Sequence, residues 1–438
     1  MLGRRFASSS AAVKTQFSTL KNGLTVATES NPFAKTSSIG LYLEAGSRAE
    51  NPYNSGVSSL TTKVLASPLR LKGIENGVYI STINSKEISG ITTEFANGNN
   101  KAAVELLKQV LKSSQESFNN TSLVANEAKL AGKLAETIEA TPRVTVLEHL
   151  NSTAFQGTPL ALPTYGKADT VSTLESMDLE AFYKKNFVAS NIAIVGTGDI
   201  NHDELVSLAE NLELSSGTKP ESKNSSFLGS EVRFRDDTLP KAYIAIAAQG
   251  ESLDSPNYWV AKIASEVNGE YNAHSIFSNF LGSKLSHIIR ENHLADTYSH
   301  FSTSYTDNGL WGFYTETDNV GNIDDLIHFT LKDWNRLSTS ITAGEIERAK
   351  SALKLKVLSV SESPLLQANK LAGDVLLSGF KPSSEEVVSR INAITVSDVM
   401  KWAQTALWDK DIAISGTGQI EGLYDYNRLR NDMAALRW

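Results

Sequence analysis

Seven histidines, His149, His202, His274, His287, His293, His300 and His328, are the side chains best suited to hold a metal ion or move a proton at neutral pH. A zinc-binding helix needs two imidazoles four residues apart, so that both leave one face of the helix with a glutamate between them to activate water. No two of the seven have that spacing. His287 and Glu291 share a helical face, but His293 turns away from it, so these residues read as structural. The chain has no cysteine, which removes disulfides, thiolate zinc sites, cysteine-ligated iron–sulfur clusters and thiol nucleophiles. A Gly-x-Ser-x-Gly nucleophile elbow is also missing. Gly-x-Gly occurs at Gly196-Thr197-Gly198 and at Gly416-Thr417-Gly418. Neither has the third glycine of a dinucleotide turn or the Lys-Ser/Thr of a phosphate loop, so both read as tight turns after a buried strand.

Those two turns belong to a longer repeat. Asn191-Ile192-Ala193-Ile194-Val195-Gly196-Thr197-Gly198-Asp199-Ile200 returns as Asp411-Ile412-Ala413-Ile414-Ser415-Gly416-Thr417-Gly418-Gln419-Ile420, 220 residues later. At the same displacement Asp178, Phe182 and Phe187 fall on Asp398, Trp402 and Leu407, which predicts an amphipathic helix leading into a buried strand in each copy. A period this long is not that of a solenoid and implies two similar halves. Each half opens with strand signals. Apolar residues flank Asn22-Gly23 between Phe17 and Ala27, a hairpin pattern, and Ile39, Leu41 and Leu43 alternate before Gly46. Tyr243 to Ala248 before Gly250 is the matching stretch of the second half. Leu123, Leu130, Leu134 and Ile138 recur at helical spacing, as do Ile346, Ala349, Leu353 and Val357, the latter after a Thr342/Glu345 capping box. The expected fold class is α+β, with two halves that are each a mixed, mostly antiparallel sheet packed with helices. The halves are assigned to residues 15–214 and 227–438, with residues 215–226, rich in Ser, Gly, Thr, Lys and Pro, as the linker.

With 438 residues, 41% hydrophobic and 21% charged, the chain is long enough for two cores. Its net charge of -8 gives no sign of a nucleic-acid partner. No apolar run approaches the roughly 20 residues of a membrane-spanning helix. Met1 to Thr28 carries Arg4, Arg5, Lys14 and Lys21 with no acid, together with Ser8-Ser9-Ser10. That composition suits a mitochondrial presequence over residues 1–14, with a cleavage position near Phe6 or Ala7, and a basic disordered tail is the alternative.

Longer segments carry a family likeness. Leu20-Lys21-Asn22-Gly23-Leu24, Ala45-Gly46-Ser47-Arg48-Ala49-Glu50, Asn54-Ser55-Gly56-Val57-Ser58, Asn84-Ser85-Lys86-Glu87, Leu147 to Gln156 and Tyr305 to Gly312 together resemble the pitrilysin-type zinc metallopeptidases, in their mitochondrial branch. The resemblance implies two halves that face each other like a clam shell. It also places His-x-x-Glu-His just after the position of Gly56, where this chain has Ser59, Thr62 and Lys63. Hydroxyls are poor zinc ligands, and an ammonium repels the ion, so these degenerate positions imply no metal, no cofactor and no peptidase activity. The family's third ligand would fall on Glu136 or Glu139, which read as a solvated helix face. Tyr298 and Tyr305 lie where relatives contact peptide, and here they read as packing residues.

With that metal site lost, the resemblance implies a non-catalytic core subunit of ubiquinol-cytochrome c reductase, complex III of the respiratory chain. Its implied partners are core protein 2, cytochrome b, cytochrome c1 and the Rieske protein, on the matrix side of the mitochondrial inner membrane. The alternative is a non-catalytic or active subunit of a mitochondrial presequence-processing metallopeptidase. The apolar terminus Met433 to Trp438, with Arg428, Arg430 and Arg437, suits either docking onto a partner or packing within the chain.

Overall fold

The computed structural model describes residues 14–435 except 213, 216, 281, 361 and 362. Most of the expected presequence, residues 1–13, and the last three residues lie outside that range, whereas Lys14 already belongs to the first strand. Apolar residues with period two give the first half β1 (Lys14–Thr19), β2 (Thr25–Ser30), β3 (Thr36–Leu43), β4 (Val78–Asn84), β5 (Ser89–Ala96) and β6 (Ile192–Gly198). The second half has β7 (Ser230–Arg235), β8 (Ala242–Gln249), β9 (Glu270–Asn272), β10 (Thr297–Ser304), β11 (Gly309–Thr317) and β12 (Ile412–Gly418). The helices of the first half are α1 (Val57–Glu75), α2 (Asn100–Lys112), α3 (Ser114–Asn119), α4 (Thr121–Glu139), α5 (Pro142–Ala154), α6 (Ala168–Ser172), α7 (Ser176–Asn186) and α8 (His202–Glu210). Those of the second are α9 (Tyr258–Asn268), α10 (Lys284–Glu291), α11 (Ile323–Leu337), α12 (Ala343–Ser359), α13 (Pro364–Gly373), α14 (Ser384–Ala393), α15 (Val396–Ala406) and α16 (Tyr426–Ala435).

The sheets run β1-β2-β6-β3-β5-β4 and β7-β12-β8-β11-β10-β9, with one parallel pair in each, β2 with β6 and β7 with β12. The α+β class with two like halves is therefore observed. The repeated decapeptide forms the equivalent strands β6 and β12, and the repeated helix pattern forms α7 and α15, each entered through a capping box that closes on Asp178 or Asp398. Gly198 and Gly418 take φ of +98° and +92°, and a Cβ there would meet a backbone oxygen of the neighbouring strand, which accounts for both glycines without a ligand. The halves differ at their sheet edges. β1 extends one sheet beyond β2, while β9 extends the other beyond β10.

One helix turns a different face to the core from the one its large residues predict. α4 forms as expected, but Leu130 and Leu134 are 59% and 40% exposed, and its buried stripe is Val124, Ala128, Ala131 and Ala135. That stripe has the same helical period and smaller side chains, which let α4 approach α1 closely. In α12 the expected face is the buried one, with Ile346, Ala349 and Leu353 in the core. The C-terminal helix packs within the chain, because Leu429 and Met433 are buried in the second core and Arg430 pairs with Asp409 and Asp411.

Each half sends a helix onto the other's sheet. Val146, Leu150 and Ala154 of α5 pack on Ala245, Ala247 and Ala413 of the second sheet. Ala368, Leu371 and Ala372 of α13 pack on Ala27, Ala193 and Val195 of the first. Hydrogen bonds pin both contacts: Tyr305 Oη donates to Asn151 at 2.7 Å, and Tyr42 Oη to Asn369 at 2.8 Å. Residues 217–229, which overlap the expected linker, form neither helix nor strand, yet Ser225 donates its N–H to Asp307 at 2.6 Å.

The same seam holds a buried charge cluster. Arg48, 8% exposed, donates to Glu87 at 2.8 Å, to Thr306 at 2.9 Å, to Asp307 at 2.6 Å and to the Lys223 carbonyl at 2.9 Å. Glu87 in turn accepts the Thr306 N–H at 3.1 Å. Burial works against the charge on Asp307, but the Arg48 hydrogen bond and the Ser225 N–H outweigh it and hold this carboxyl below the usual carboxylate range. Removing one partner of such a cluster leaves the others charged and unpaired. Arg48→Met is therefore expected to cost about 3–5 kcal/mol in denaturant unfolding of the chain. A loss below about 1 kcal/mol would show that the clasp does not hold the halves together.

Candidate functional site

The site that the family likeness selects is the first two turns of α1. The chain enters this helix through Gly56 at φ +95°, where a Cβ would lie 2.4 Å from Val171 Cγ2. The first backbone donors of a helix need partners, and here they meet a buried carboxylate. Glu50 accepts hydrogen bonds from Gly56 N at 2.6 Å, Ser58 N at 2.9 Å and Ser58 Oγ at 2.6 Å. Burial pushes Glu50 up to about 7, against the pull of those three donors.

Ser59 and Thr62 are buried, at 3% and 1% exposure. Thr62 Oγ1 donates to the Ser59 carbonyl at 3.0 Å, so its hydroxyl is engaged by its own helix. Lys63 is half-buried, with its ammonium 6.0 Å from the centre of the Tyr165 ring. Burial pulls its pKa down, Glu127 opposes that shift and Arg70 adds to it. A zinc ion at this place would meet two hydroxyls and an ammonium, and that donor set does not fit the metal. Among the described residues no group of three His, Cys, Asp or Glu is placed to hold a metal ion.

The remaining sequence candidates are dispersed. Glu136 and Glu139 are exposed near the end of α4, and Glu139 accepts the Ala168 N–H at 3.2 Å. The carboxylate of α4 that reaches α1 is Glu127, which is 8% exposed and accepts from Ser67 Oγ at 2.6 Å. Family spacing does not point to it, but its position on the Val124–Ala128–Ala131 stripe does. His202 is hydrogen-bonded to Thr28 and Ser18, each at 2.8 Å. His300 packs between Trp311 and Trp334, and burial pulls its pKa well down. His149 lies against Phe234, His328 is half-buried beside Phe329, and His274, His287 and His293 are exposed. Tyr298 and Tyr305 are buried at 0% and 7% exposure, which makes them packing residues. Beside the helix entrance a cleft of about 470 Å³ is lined by Glu148, His149 and Tyr165 of the first half and Phe234 of the second. Lys86 donates to Glu148 at 2.5 Å.

Two family models match the chain, Insulinase (Peptidase family M16) over residues 25–168 and the Peptidase M16 inactive domain over residues 173–353. The chain belongs to the M16 peptidase family. Among its relatives, the cytochrome b-c1 complex subunit 1, mitochondrial, of Saccharomyces cerevisiae is 46% identical, with 99% of this chain and 97% of the relative covered. The cytochrome b-c1 complex reductase subunit, mitochondrial, of Candida albicans is 44% identical over 97% and 95%. The mitochondrial-processing peptidase subunit beta of Lentinula edodes is 35% identical over 96% and 94%. A chain of Complex III2 from Candida albicans, solved with Inz-5 bound, superposes with a TM-score of 0.92 at 43% identity, covering 96% of this chain and 99% of that one.

Glu50 makes the helix entrance sensitive to pH. Between the ordinary value of 4.5 and about 7 the folded chain keeps a proton that the unfolded chain has released, so this group's contribution to stability falls as pH rises through that window. In Glu50→Gln the contribution is gone. Denaturant titrations at pH 4 and pH 8 are expected to show the variant gaining on the wild type by about 3 kcal/mol toward the higher pH. An unchanged difference between the two proteins would show that Glu50 titrates alike in the folded and unfolded chains.

Proposed function

We propose that this chain is a non-catalytic core subunit of the cytochrome b-c1 complex, complex III of the mitochondrial respiratory chain, needed for its assembly and stability. The observation that carries the reading is the full-length match, at a TM-score of 0.92, to a chain of that complex. It associates with the other subunits of complex III, among them core protein 2, cytochrome b, cytochrome c1 and the Rieske protein. No helix among the described residues is long and apolar enough to cross a membrane, consistent with a peripheral place on the matrix side of the inner membrane. Haems and iron–sulfur cluster then sit on partner chains, in line with a chain that has no cysteine.

A second reading, a subunit of the mitochondrial processing peptidase, is favoured by the 35% identity to its beta subunit in Lentinula edodes. The residues at Ser59, Thr62 and Lys63 weigh against a working version of it, because loss of ligands and base together leaves no means of making the attacking hydroxide. We further propose that residues 1–14 are a presequence, that residues 215–226 link the halves and that the three α1 positions are a lost zinc site.

Mild detergent extraction of the tagged chain is expected to bring down b- and c-type haem spectra with the complex III subunits. Absence of those spectra, or presequence cleavage with stoichiometric zinc, would overturn the reading. Ser59→His, Thr62→Glu and Lys63→His should each bind no zinc singly by elemental analysis, and metal should be retained only when the three are combined. N-terminal sequencing of the mature chain is expected to begin between Ala7 and Thr15, and an intact Met1 would remove the presequence.

A further inference from the structure

Five Asn-Gly pairs stand in the chain, at Asn22, Asn76, Asn97, Asn268 and Asn308. In such a pair the amide nitrogen of the glycine can close on Cγ of the asparagine side chain, because no Cβ blocks the approach. Three conditions select among the five: a free glycine N–H, a backbone able to turn and a polarised side-chain carbonyl. The fold engages four of the nitrogens. Gly23 N donates to the Leu20 carbonyl at 2.9 Å, Gly77 N to Ile74 at 3.0 Å and Gly269 N to Ser265 at 2.9 Å, and Gly309 N donates to Asn308 Oδ1 at 2.9 Å. Asn268 and Asn308 are buried as well.

Asn97 meets all three conditions. It is exposed and second in the β-turn of residues 96–99, which joins β5 to α2. One long bond closes that turn, from Asn99 N–H to the Ala96 carbonyl at 3.3 Å. Gly98 is third, at φ +102°, with no atom within 4 Å of where its Cβ would stand. Among the described residues nothing accepts the Gly98 N–H. Ser37 Oγ donates to Asn97 Oδ1 at 3.0 Å, and Asn97 Nδ2 donates to the Ala34 carbonyl at 2.5 Å. Ser37 is buried, and its oxygen accepts the Asp199 N–H at 3.0 Å, which leaves its own hydrogen for Asn97. A donor fixed on a carbonyl oxygen stabilises the negative charge that forms there when a nucleophile adds to the carbon.

We propose that Asn97 is a site of spontaneous conversion to aspartate and isoaspartate, with Ser37 as the donor to the developing oxyanion. The Gly98 nitrogen gives its proton to water and forms a bond to Cγ of Asn97. The Cγ–Nδ2 bond then breaks, and Nδ2 takes up a proton and leaves as ammonia. Water opens the resulting succinimide at either carbonyl, giving an aspartyl or an isoaspartyl linkage. Asparagine and water thus yield the acid and ammonia, with no other reactant consumed. The product carboxylate has no hydrogen to give the Ala34 carbonyl. The segment ties three loops by side-chain amides, Asn97 to Ala34, Asn99 to Asn76 at 3.3 Å and Asn100 to Asp199 at 3.2 Å, and the first of these is lost on conversion.

The test uses the tagged full-length chain, purified with its bound partners and warmed at pH 8. The five pairs are followed by peptide mass spectrometry, with isoaspartate located by enzymatic methylation. Asn97 is expected to convert at least tenfold faster than Asn22 or Asn76, with Asn268 and Asn308 unchanged, whereas in denaturant the five should convert at similar rates. Ser37→Ala is expected to slow conversion at Asn97 at least threefold. If Ser37 only held the turn in place, its loss would loosen the turn and speed the reaction. Asn97→Asp carries the product carboxylate from the start, and hydrogen exchange at residues 31–35 should be faster in it than in the wild type. Conversion at Asn22 or Asn76 as fast as at Asn97 overturns the site. An unchanged or faster rate in Ser37→Ala overturns the part given to Ser37, and unaltered exchange in Asn97→Asp overturns the lost tie.

Discussion

Burial of Arg48 at the seam between the halves is the constraint on which much else depends. A guanidinium taken out of water needs most of its donors satisfied, and Glu87, Asp307, Thr306 and the Lys223 carbonyl satisfy them from both halves and from the connecting segment. The cluster therefore sets the register of one half on the other. It also explains why residues 217–229 follow a defined path without helix or strand, since their backbone and side chains are partners of the same charges. Hydrophobic contact between α5 and the second sheet, and between α13 and the first, supplies area without direction, and the charge cluster supplies the direction.

The same economy is visible at α1. The entrance of α1 is fixed by the glycine entry at Gly56, the Glu50 carboxyl that accepts from it and packing against α4. These features stabilise the fold whether or not a metal is held. Thr62 is bonded to its own helix and Lys63 lies beside Tyr165. A subunit in a large assembly needs the framework and does not need the reaction.

The cavities beside α5 and α13 differ in which half supplies their walls. The cleft beside α5 is lined from both halves, and Glu148 in it accepts from Lys86 at 2.5 Å. The cavity beside α13 is lined by the second half, with Glu29 alone from the first, and its wall includes the π turn Asp374–Ser378.

Local chemistry was legible in the sequence. The repeated decapeptide announced β6 and β12, Asn22-Gly23 the turn between β1 and β2, and Thr342/Glu345 the start of α12, because each signal depends on neighbours within a few residues. The side-chain types at Ser59, Thr62 and Lys63 were equally readable, and two hydroxyls and an ammonium are no zinc ligands wherever the fold places them. What the tertiary structure decided are matters of juxtaposition. Leu130 and Leu134 promised a core face, yet α4 buries its alanines, because the helices packed beside it cover that face. Glu127 is the carboxylate of α4 that faces α1, and Arg48 finds partners at Glu87 and Asp307, far along the chain. No periodicity encodes such pairs, because they exist only once the two sheets and their exchanged helices have been brought together.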